Sequence, residues 1–486
     1  MKRQTMMLNE LMKDIPHTAL TGGDAVIAGL ASDTRRVQRG DLLFCIKGLH
    51  YDAHDYINEA AALGAAAVVV ERPGAYDCNI PVVCVESSRK AMSLTAEIFY
   101  GNPSREINFY GVTGTNGKTS VTYFIESILR AAGRRAGVIG TLNATIDCAD
   151  IGHTFSTSTT PDTLELYGAV DAMRGAGVTD VVMEVSSHSL ALFKTDGIRY
   201  KTGVFTNLTR DHLDFHGTMD NYLQAKARLF DLCETGVINA DDAASKTIVK
   251  NAACRIVTYG INGGDIRAAG VRYGDDGLTF AANIDGERVL FEAPVYGRIN
   301  VYNALAAIGA AMSAGIPIDV IREGLAGLKP IPGRFQRISN DKGFKIIIDY
   351  AHSPDGLDNV LKTAREMCAG RLISVFGCGG DRDRPKRAMM GQIAGTHSDW
   401  CIITSDNPRS EIPADIINEI ERGIKQTSCG YDCIEDRREA IYRGIRMAAA
   451  GDTVFIAGKG HENYQEFNGY TIHFSDAETA DEALKS

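Results

Sequence analysis

The sequence predicts an α/β protein of three domains in series, each an open, mostly parallel sheet, with a phosphate loop in the middle one. Short apolar runs alternate with helix-spaced patches along the whole chain, the pattern of parallel strands joined by crossover helices. A length of 486 residues, at about 150 per domain, suggests about three domains. Two breaker clusters, Gly101-Asn102-Pro103-Ser104 and Lys329-Pro330-Ile331-Pro332-Gly333, divide the chain into 1–100, 101–331 and 332–486.

The elements follow in order. In the first segment, 57–63 reads as a helix and 66–70 as a buried strand. In the second, 107–112 is strand-like. Val121, Phe124, Ile125, Ile128 and Leu129 then recur at helical spacing until Gly133 offers a stop. Further strands are expected at 181–185 and 203–206. The third segment has apolar runs at 344–348, 372–376, 400–404 and 453–457, each followed by a polar or glycine-rich loop, while Leu357, Val360, Leu361 and Ala364 share a helical face. Sheets of this kind bind ligands beyond the carboxyl ends of their strands, so the loops after those strands hold the candidate site.

Composition removes several alternatives. Hydrophobic residues make up 44% and charged residues 23%, ordinary for a globular chain. The 51 Lys+Arg against 61 Asp+Glu leave a formal charge of −10, which argues against a broad nucleic-acid footprint. The apolar stretches 60–70 and 304–314 fall short of the roughly 20 residues a membrane-spanning helix needs. Residues 1–16 lack the apolar core of a signal peptide. Eleven cysteines, an odd number without framework spacing, predict reduced thiols and a cytoplasmic setting. Cys429 and Cys433 have no second pair or histidine cluster to complete a zinc set.

The chemistry-bearing motif is Thr113-Gly114-Thr115-Asn116-Gly117-Lys118-Thr119, between a strand and a helix. Glycines let backbone N–H groups approach phosphate oxygens, and the helix N-terminus adds positive potential. Lys118 would neutralise β/γ-phosphate charge, and the Thr119 hydroxyl could coordinate Mg²⁺. The spacing departs from the standard phosphate loop, with Val112 where a glycine is usual and Gly111 one place earlier. Glu184, ending a strand before Val185-Ser186-Ser187-His188, and the run Thr206-Asn207-Leu208-Thr209-Arg210-Asp211-His212-Leu213-Asp214-Phe215-His216-Gly217 add carboxylates and imidazoles suited to a phosphoryl-transfer site.

These motifs resemble those of the Mur ligases, which build the peptide stem of bacterial cell-wall precursors. The resemblance runs in family order through Gly111–Thr119, Thr159-Thr160-Pro161, Glu184–His188, Thr206–Gly217, Pro332-Gly333-Arg334-Phe335, Asp349-Tyr350-Ala351-His352, Asp406-Asn407-Pro408-Arg409 and Gly458-Lys459-Gly460-His461-Glu462. It implies a UDP-binding first domain, a central ATP-binding domain and a Rossmann-like last domain that brings the amino acid. It also implies ATP and Mg²⁺, a cytoplasmic location, and a monomer without nucleic-acid or membrane partners. Thr34, in Asp33-Thr34-Arg35, falls at the uracil position; Gly40-Asp41-Leu42-Leu43-Phe44 and Asp52-Ala53-His54 also match, with Ala53 where glycine is common.

The implied chemistry is ATP-driven amide formation through an acyl phosphate. Lys118, Glu184, His212, Lys226 and Arg334 fall at catalytic positions. Gly114, Thr115, Asn116, Gly117, Thr119, Asn300, Asn303, Asp349 and His352 join Lys118 and Arg334 as ATP contacts. Thr119, Glu184, His212 and Lys226 fall at metal positions, Lys226 where the family carries a carbamylated lysine. Thr159, Thr160, Ser186 and Lys194 fall with Thr34 on the UDP-substrate side, Lys194 in place of a usual arginine.

Asp406, Asn407, Pro408 and Arg409, with Arg382, Gly458 and Glu462, mark the members that add meso-diaminopimelate to UDP-N-acetylmuramoyl-dipeptide. An arginine can clamp the distal carboxylate that lysine lacks. A ligase for L-lysine or another diamino acid, a folylpolyglutamate synthetase and a non-catalytic nucleotide-binding scaffold are the competing readings.

Overall fold

The computed structural model describes residues 5–48, 51–74, 76, 78–153, 155–157, 159–274 and 277–486. Three large sheets succeed one another along the chain. In the first, strands Ala19–Thr21, Val82–Cys84, Ala67–Val70, Asp41–Phe44 and Gly29–Ala31 lie side by side, parallel except for Ala19–Thr21. Ala67–Val70 is buried at every residue, as a strand covered on both faces must be.

The second sheet has eleven strands. Its parallel centre runs Ala136–Gly140, Asp180–Glu184, Asn108–Thr113, Tyr200–Phe205, Cys233–Asn239 and Arg255–Gly260. Helix Lys118–Ala131 places Val121, Phe124, Ile125, Ile128 and Leu129 in the core, and Gly133 (φ 72°) lies just beyond its end. The apolar run at 304–314 belongs to helix Arg298–Ser313, sheathed by protein on nearly every side. Among the described residues no helix is long and apolar enough to cross a membrane.

The edges of this sheet depart from the sequence reading. A hairpin, Asn143–Ile146 with Ala149–Asp150, and a meander of Ile266–Gly274, Gly277–Ile284 and Glu287–Ala293 extend it, antiparallel except where Ile266–Gly274 joins Arg255–Gly260 in parallel. Asp285 (φ 51°) and Gly286 (φ 87°) form the two-residue left-handed turn that such hairpins favour. Strand Gly277–Ile284 is buried on both faces for most of its length, so no clean polar–apolar alternation advertises it.

The third sheet orders Gln336–Ile338, Lys345–Asp349, Thr453–Ala457, Leu372–Phe376, Trp400–Ile403 and Gly430–Cys433, parallel apart from the first. Strand Thr453–Ala457, late in the sequence, inserts between two early strands. That makes a topological switch point, and the loops after it converge at one end of the sheet.

Beneath those loops lies a bidentate ion pair, Arg437 Nε and Nη2 donating to Asp476 at 2.8 and 2.7 Å, both side chains fully buried. Arg437 also donates to the carbonyls of Ser405 and Ala457, the residues preceding Asp406 and Gly458. Asp476→Ala would leave a buried guanidinium unpaired, at an expected cost of about 3–5 kcal/mol. Urea unfolding measures it, and a loss below about 1 kcal/mol would contradict the role given to the pair.

Candidate active site

The phosphate loop bridges strand Asn108–Thr113 and helix Lys118–Ala131. Its glycines are sterically required. A Cβ on Gly114 (φ 149°) would lie 1.8 Å from Thr206 Oγ1, and one on Gly117 (φ 87°) 2.6 Å from Asn303 Oδ1. Lys118 folds back over the loop and donates to the carbonyls of Gly114 and Thr115 at 3.0 Å each. Burial lowers its pKa, with Glu184 and Asp211 pulling the other way. Asn116 is anchored by Asn207, and its amide donates across to Asp355 Oδ2 at 2.9 Å, tying the loop to helix Pro354–Met367.

A polar chain runs beside the loop. Arg334 Nη2 donates to Thr119 Oγ1 at 2.9 Å, and Thr119 Oγ1 donates to Glu184 Oε1 at 2.9 Å. Thr141 supplies a backbone and a hydroxyl donor to the same carboxylate. The Arg334 guanidinium stacks 4.6 Å from the Tyr350 ring centroid. Its Nε is buried with no partner among the described residues, an N–H open to an anionic ligand. Thr160 Oγ1 accepts from the Ser186 N–H and donates to the Glu184 carbonyl, so the segment before helix Thr163–Gly175 is locked to the loop after strand Asp180–Glu184.

His212 (φ 53°) caps the short helix Leu213–His216, and its Nε2 lies 3.5 Å from Asp211. Desolvation holds its pKa down at about 4 against the pull of Asp211, leaving a neutral imidazole with a free lone pair near neutral pH. Lys226, on helix Met219–Ala227, is 1% exposed rather than solvated. Its ammonium lies 4.4 Å from the Tyr222 ring centroid, and no carboxylate among the described residues is within ion-pair distance. Burial first, then the charge of Lys118, drives its pKa well below the ordinary lysine value, opposed by Asp211.

At the other end stand the loops of the third sheet. Arg409 (φ 51°) donates from Nε to Glu466 Oε2 at 3.0 Å and from Nη1 to the Gly380 carbonyl at 2.8 Å, leaving Nη2 without a hydrogen-bond partner among the described residues. Asn407 Nδ2 donates to Glu462 Oε2 at 3.0 Å. Burial works to raise the Asp406 carboxyl, but Lys459 and Arg437 outweigh it and the pKa ends below the usual value. Gly458 (φ 115°) admits the Asp406 carboxylate, which a Cβ would meet at 2.4 Å. The Asp349 carboxylate accepts from the N–H groups of Phe335 and Ala351 at 2.7 and 2.8 Å, and burial raises its pKa.

One cleft of about 540 Å³ unites these ends. Thr115, Asn116, Gly117, Lys118, Thr119, Thr159, Glu184, His212, Asn300, Asn303, Arg334, Asp349 and His352 line it together with Arg382, Asp406, Asn407, Arg409, Gly458 and Glu462. Gly114, Thr160, Ser186 and Lys226 are not on its wall; Ser186 Oγ instead caps helix Ser187–Ala191. Lys194 pairs with Asp162, and Thr34 bonds the Tyr51 hydroxyl in the first sheet's layer, both outside the cleft. Pro408 is likewise absent from the wall, its carbonyl lying where a Cβ on Gly380 would collide.

The sequence reading gave no role to Tyr350, Asp355, Lys459 or Glu466. Lys459 lies within Gly458–Glu462 and Tyr350 within Asp349–His352, both motifs of the family. Glu466, on strand Tyr464–Phe467, had no local signal.

Residues 26–102 match the Mur ligase family catalytic domain, 112–311 the Mur ligase middle domain and 333–460 the Mur ligase glutamate ligase domain. The chain is 44% identical over 472 residues to a UDP-N-acetylmuramoyl-L-alanyl-D-glutamate–2,6-diaminopimelate ligase of Halalkalibacterium halodurans, covering 95% of each chain. It is 42% identical over 483 residues to a ligase of that name from Clostridium acetobutylicum, covering 99% of this chain and all of the relative. A solved structure of a ligase with this name superposes with a TM-score of 0.71 at 34% identity over 99% of both chains. MurF of Thermotoga maritima, solved with ADP, shares the fold at 19% identity and a TM-score of 0.64, with coverage of 94% and 96%.

Proposed function

The chain belongs to the Mur ligase family, and on that premise we propose that it is the ATP-dependent ligase joining diaminopimelate to UDP-N-acetylmuramoyl-L-alanyl-D-glutamate in peptidoglycan precursor synthesis. The observation that carries the reading is the single cleft, with a phosphate loop at one end and Arg409 and Glu462 at the other. Relatives that align over almost the whole chain and bear that name support it.

The chemistry follows from the reactants. A carboxylate is a poor acyl donor, so the D-glutamate carboxylate attacks the γ-phosphorus of ATP, releasing ADP and forming an acyl phosphate. The diaminopimelate amine then adds to the acyl carbon, and phosphate leaves as the amide forms. Two anions must meet in the first step, which calls for cations already in place. Lys118 and Arg334 spread the γ-phosphate charge, and Arg334 Nε offers the unspent donor. Asn300, Asn303, Asp349 and His352 hold the nucleoside. Thr34 binds the uracil, while Thr159, Thr160, Ser186 and Lys194 orient the sugar–peptide.

Thr119 and Glu184 offer the hydroxyl and carboxylate oxygens suited to magnesium, and the neutral His212 imidazole would add a nitrogen ligand beside them. Lys226 fits that set only as a carbamate, because a buried ammonium would repel the ion. Magnesium supplies positive charge against the transferring phosphate when bound.

We place the domain limits at 1–100, 101–331 and 332–486 and propose that the enzyme acts as a monomer. ATP and a nucleotide-sugar as substrates place the work in the cytoplasm. ADP and phosphate release, measured with the UDP-dipeptide and ATP plus diaminopimelate, L-lysine or ornithine, tests the reading. Turnover is expected with diaminopimelate alone. Equal use of lysine, or release of no phosphate, would refute it.

A further inference from the structure

Lys459 is a fully buried cation that no step above uses. It lies in the turn after strand Thr453–Ala457, where Nζ donates to Asn407 Oδ1 and Glu462 Oε2, each at 3.0 Å, and sits 5.3 Å from the Tyr464 ring centroid. Asn407 Nδ2 closes the triangle on the same Glu462 oxygen at 3.0 Å, and the Glu466 N–H adds a second donor to Asn407 Oδ1. The geometry settles which way the Asn407 amide faces. With Oδ1 held by two donors, its NH₂ is directed to Glu462. Glu462 Oε2 is then satisfied twice, whereas Oε1 meets, among the described residues, only the Tyr350 hydroxyl, at the long distance of 3.5 Å. One carboxylate oxygen is clamped and the other is left for a ligand.

We propose that Lys459 is a positioning residue for the incoming diamino acid. By fixing Asn407 and one oxygen of Glu462, it holds the other oxygen ready for the substrate's distal ammonium. This rests on the proposed function, in which Glu462, at the diamino-acid end of the cleft, accepts from the distal ammonium while Arg409 takes the distal carboxylate. Without the Lys459 ammonium, the Asn407 amide can flip and the Glu462 carboxylate can rotate, so the acceptor is no longer pre-set when substrate arrives. The phosphate loop lies after a strand of the second sheet, and Lys459 donates to neither it nor Arg334 among the described residues. The signature is therefore a selective rise in one Michaelis constant.

Steady-state kinetics on the whole enzyme test this with Lys459→Met, Lys459→Gln, Glu462→Gln and the double variant Lys459→Met/Glu462→Gln. Lys459→Met is expected to raise KM for diaminopimelate about 10-fold, the loss of one charge-assisted hydrogen bond, with KM for ATP within about twofold of wild type. Lys459→Gln, which keeps a donor without the charge, should fall between wild type and Lys459→Met. Because Lys459 acts through Glu462, the double variant should be little worse than Glu462→Gln alone. Unchanged KM for diaminopimelate, an equal rise for ATP, or additive effects in the double variant would each overturn the proposal. Should Lys459→Met fail to fold, the same cycle run with Lys459→Gln decides by the same criteria. Failure of the wild-type enzyme to use diaminopimelate would instead overturn the reading of the site.

Discussion

Arg409→Ala is expected to cut kcat/KM for diaminopimelate by about 100-fold, mostly through KM, while leaving KM for ATP unchanged. The guanidinium is already oriented. Glu466 takes Nε and the Gly380 carbonyl takes Nη1, so the side chain need not be ordered by substrate. The backbone is committed too, since φ is 51° and the Arg409 N–H donates to the Glu466 carbonyl. Nη2 and the second Nη1 hydrogen, which have no partner among the described residues, suffice for a forked contact to a carboxylate. With L-lysine bound, those donors would face no acceptor, and sites built around such a contact discriminate by roughly 10⁴. A 100-fold loss on diaminopimelate, with use of lysine unchanged, brings that margin down to about 100-fold in the variant. Parallel assays of the two amino acids measure it. A preference for diaminopimelate as strong as wild type's would remove Arg409 from the specificity site.

The same residue marks how far local sequence reaches. Asp406-Asn407-Pro408-Arg409 is contiguous, sits after strand Trp400–Ile403, and is legible because sheets of this class bind beyond their strand ends. Glu466, which orients the arginine, lies 57 positions away on a hairpin strand whose residues carry no phosphate- or metal-binding pattern. The phosphate loop is legible for a similar reason: Gly114 and Gly117 are dictated by close approach, and glycine there leaves a mark in the string of letters. The Asn116–Asp355 bond leaves none, since its partners are 239 residues apart. Strand pairing behaves alike. Parallel strands followed by capped helices announce themselves, whereas the meander from Ile266 to Ala293 alternates poorly because its central strand is covered on both faces. Lys226 shows the limit most sharply. Seen alone, a lysine on a polar-looking helix reads as solvated, and only the packing of Tyr222 and its neighbours places it in the interior.

That burial supports a second large effect, the loss of activity when Lys226 is replaced. A lysine ammonium enclosed without a carboxylate is costly, and here burial and the charge of Lys118 both favour the neutral amine. A neutral amine is the form that attacks CO₂: the nitrogen lone pair forms the N–C bond, a C=O π pair moves to oxygen, and one proton leaves. The product, a carbamate, exchanges a buried cation for an anion whose oxygens suit a hard metal ion. The sign of the pH dependence follows from the lowered pKa. Above it the amine is neutral and carbamate formation proceeds; as pH falls through it, protonation removes the nucleophile and activity falls with it. Lys226→Met is expected to lower kcat/KM by about 100-fold or more, the scale on which losing a group that supports a metal reduces function. Wild-type enzyme depleted of CO₂ should lose activity and regain it on adding bicarbonate, whereas Lys226→Met should respond to neither. A carbamate carbon signal from ¹³C-bicarbonate, present in wild type and absent in the variant, distinguishes this from simple loss of a cation. Full activity in CO₂-free buffer, with no such signal, would leave Lys226 a structural lysine and the magnesium to Thr119, Glu184 and His212.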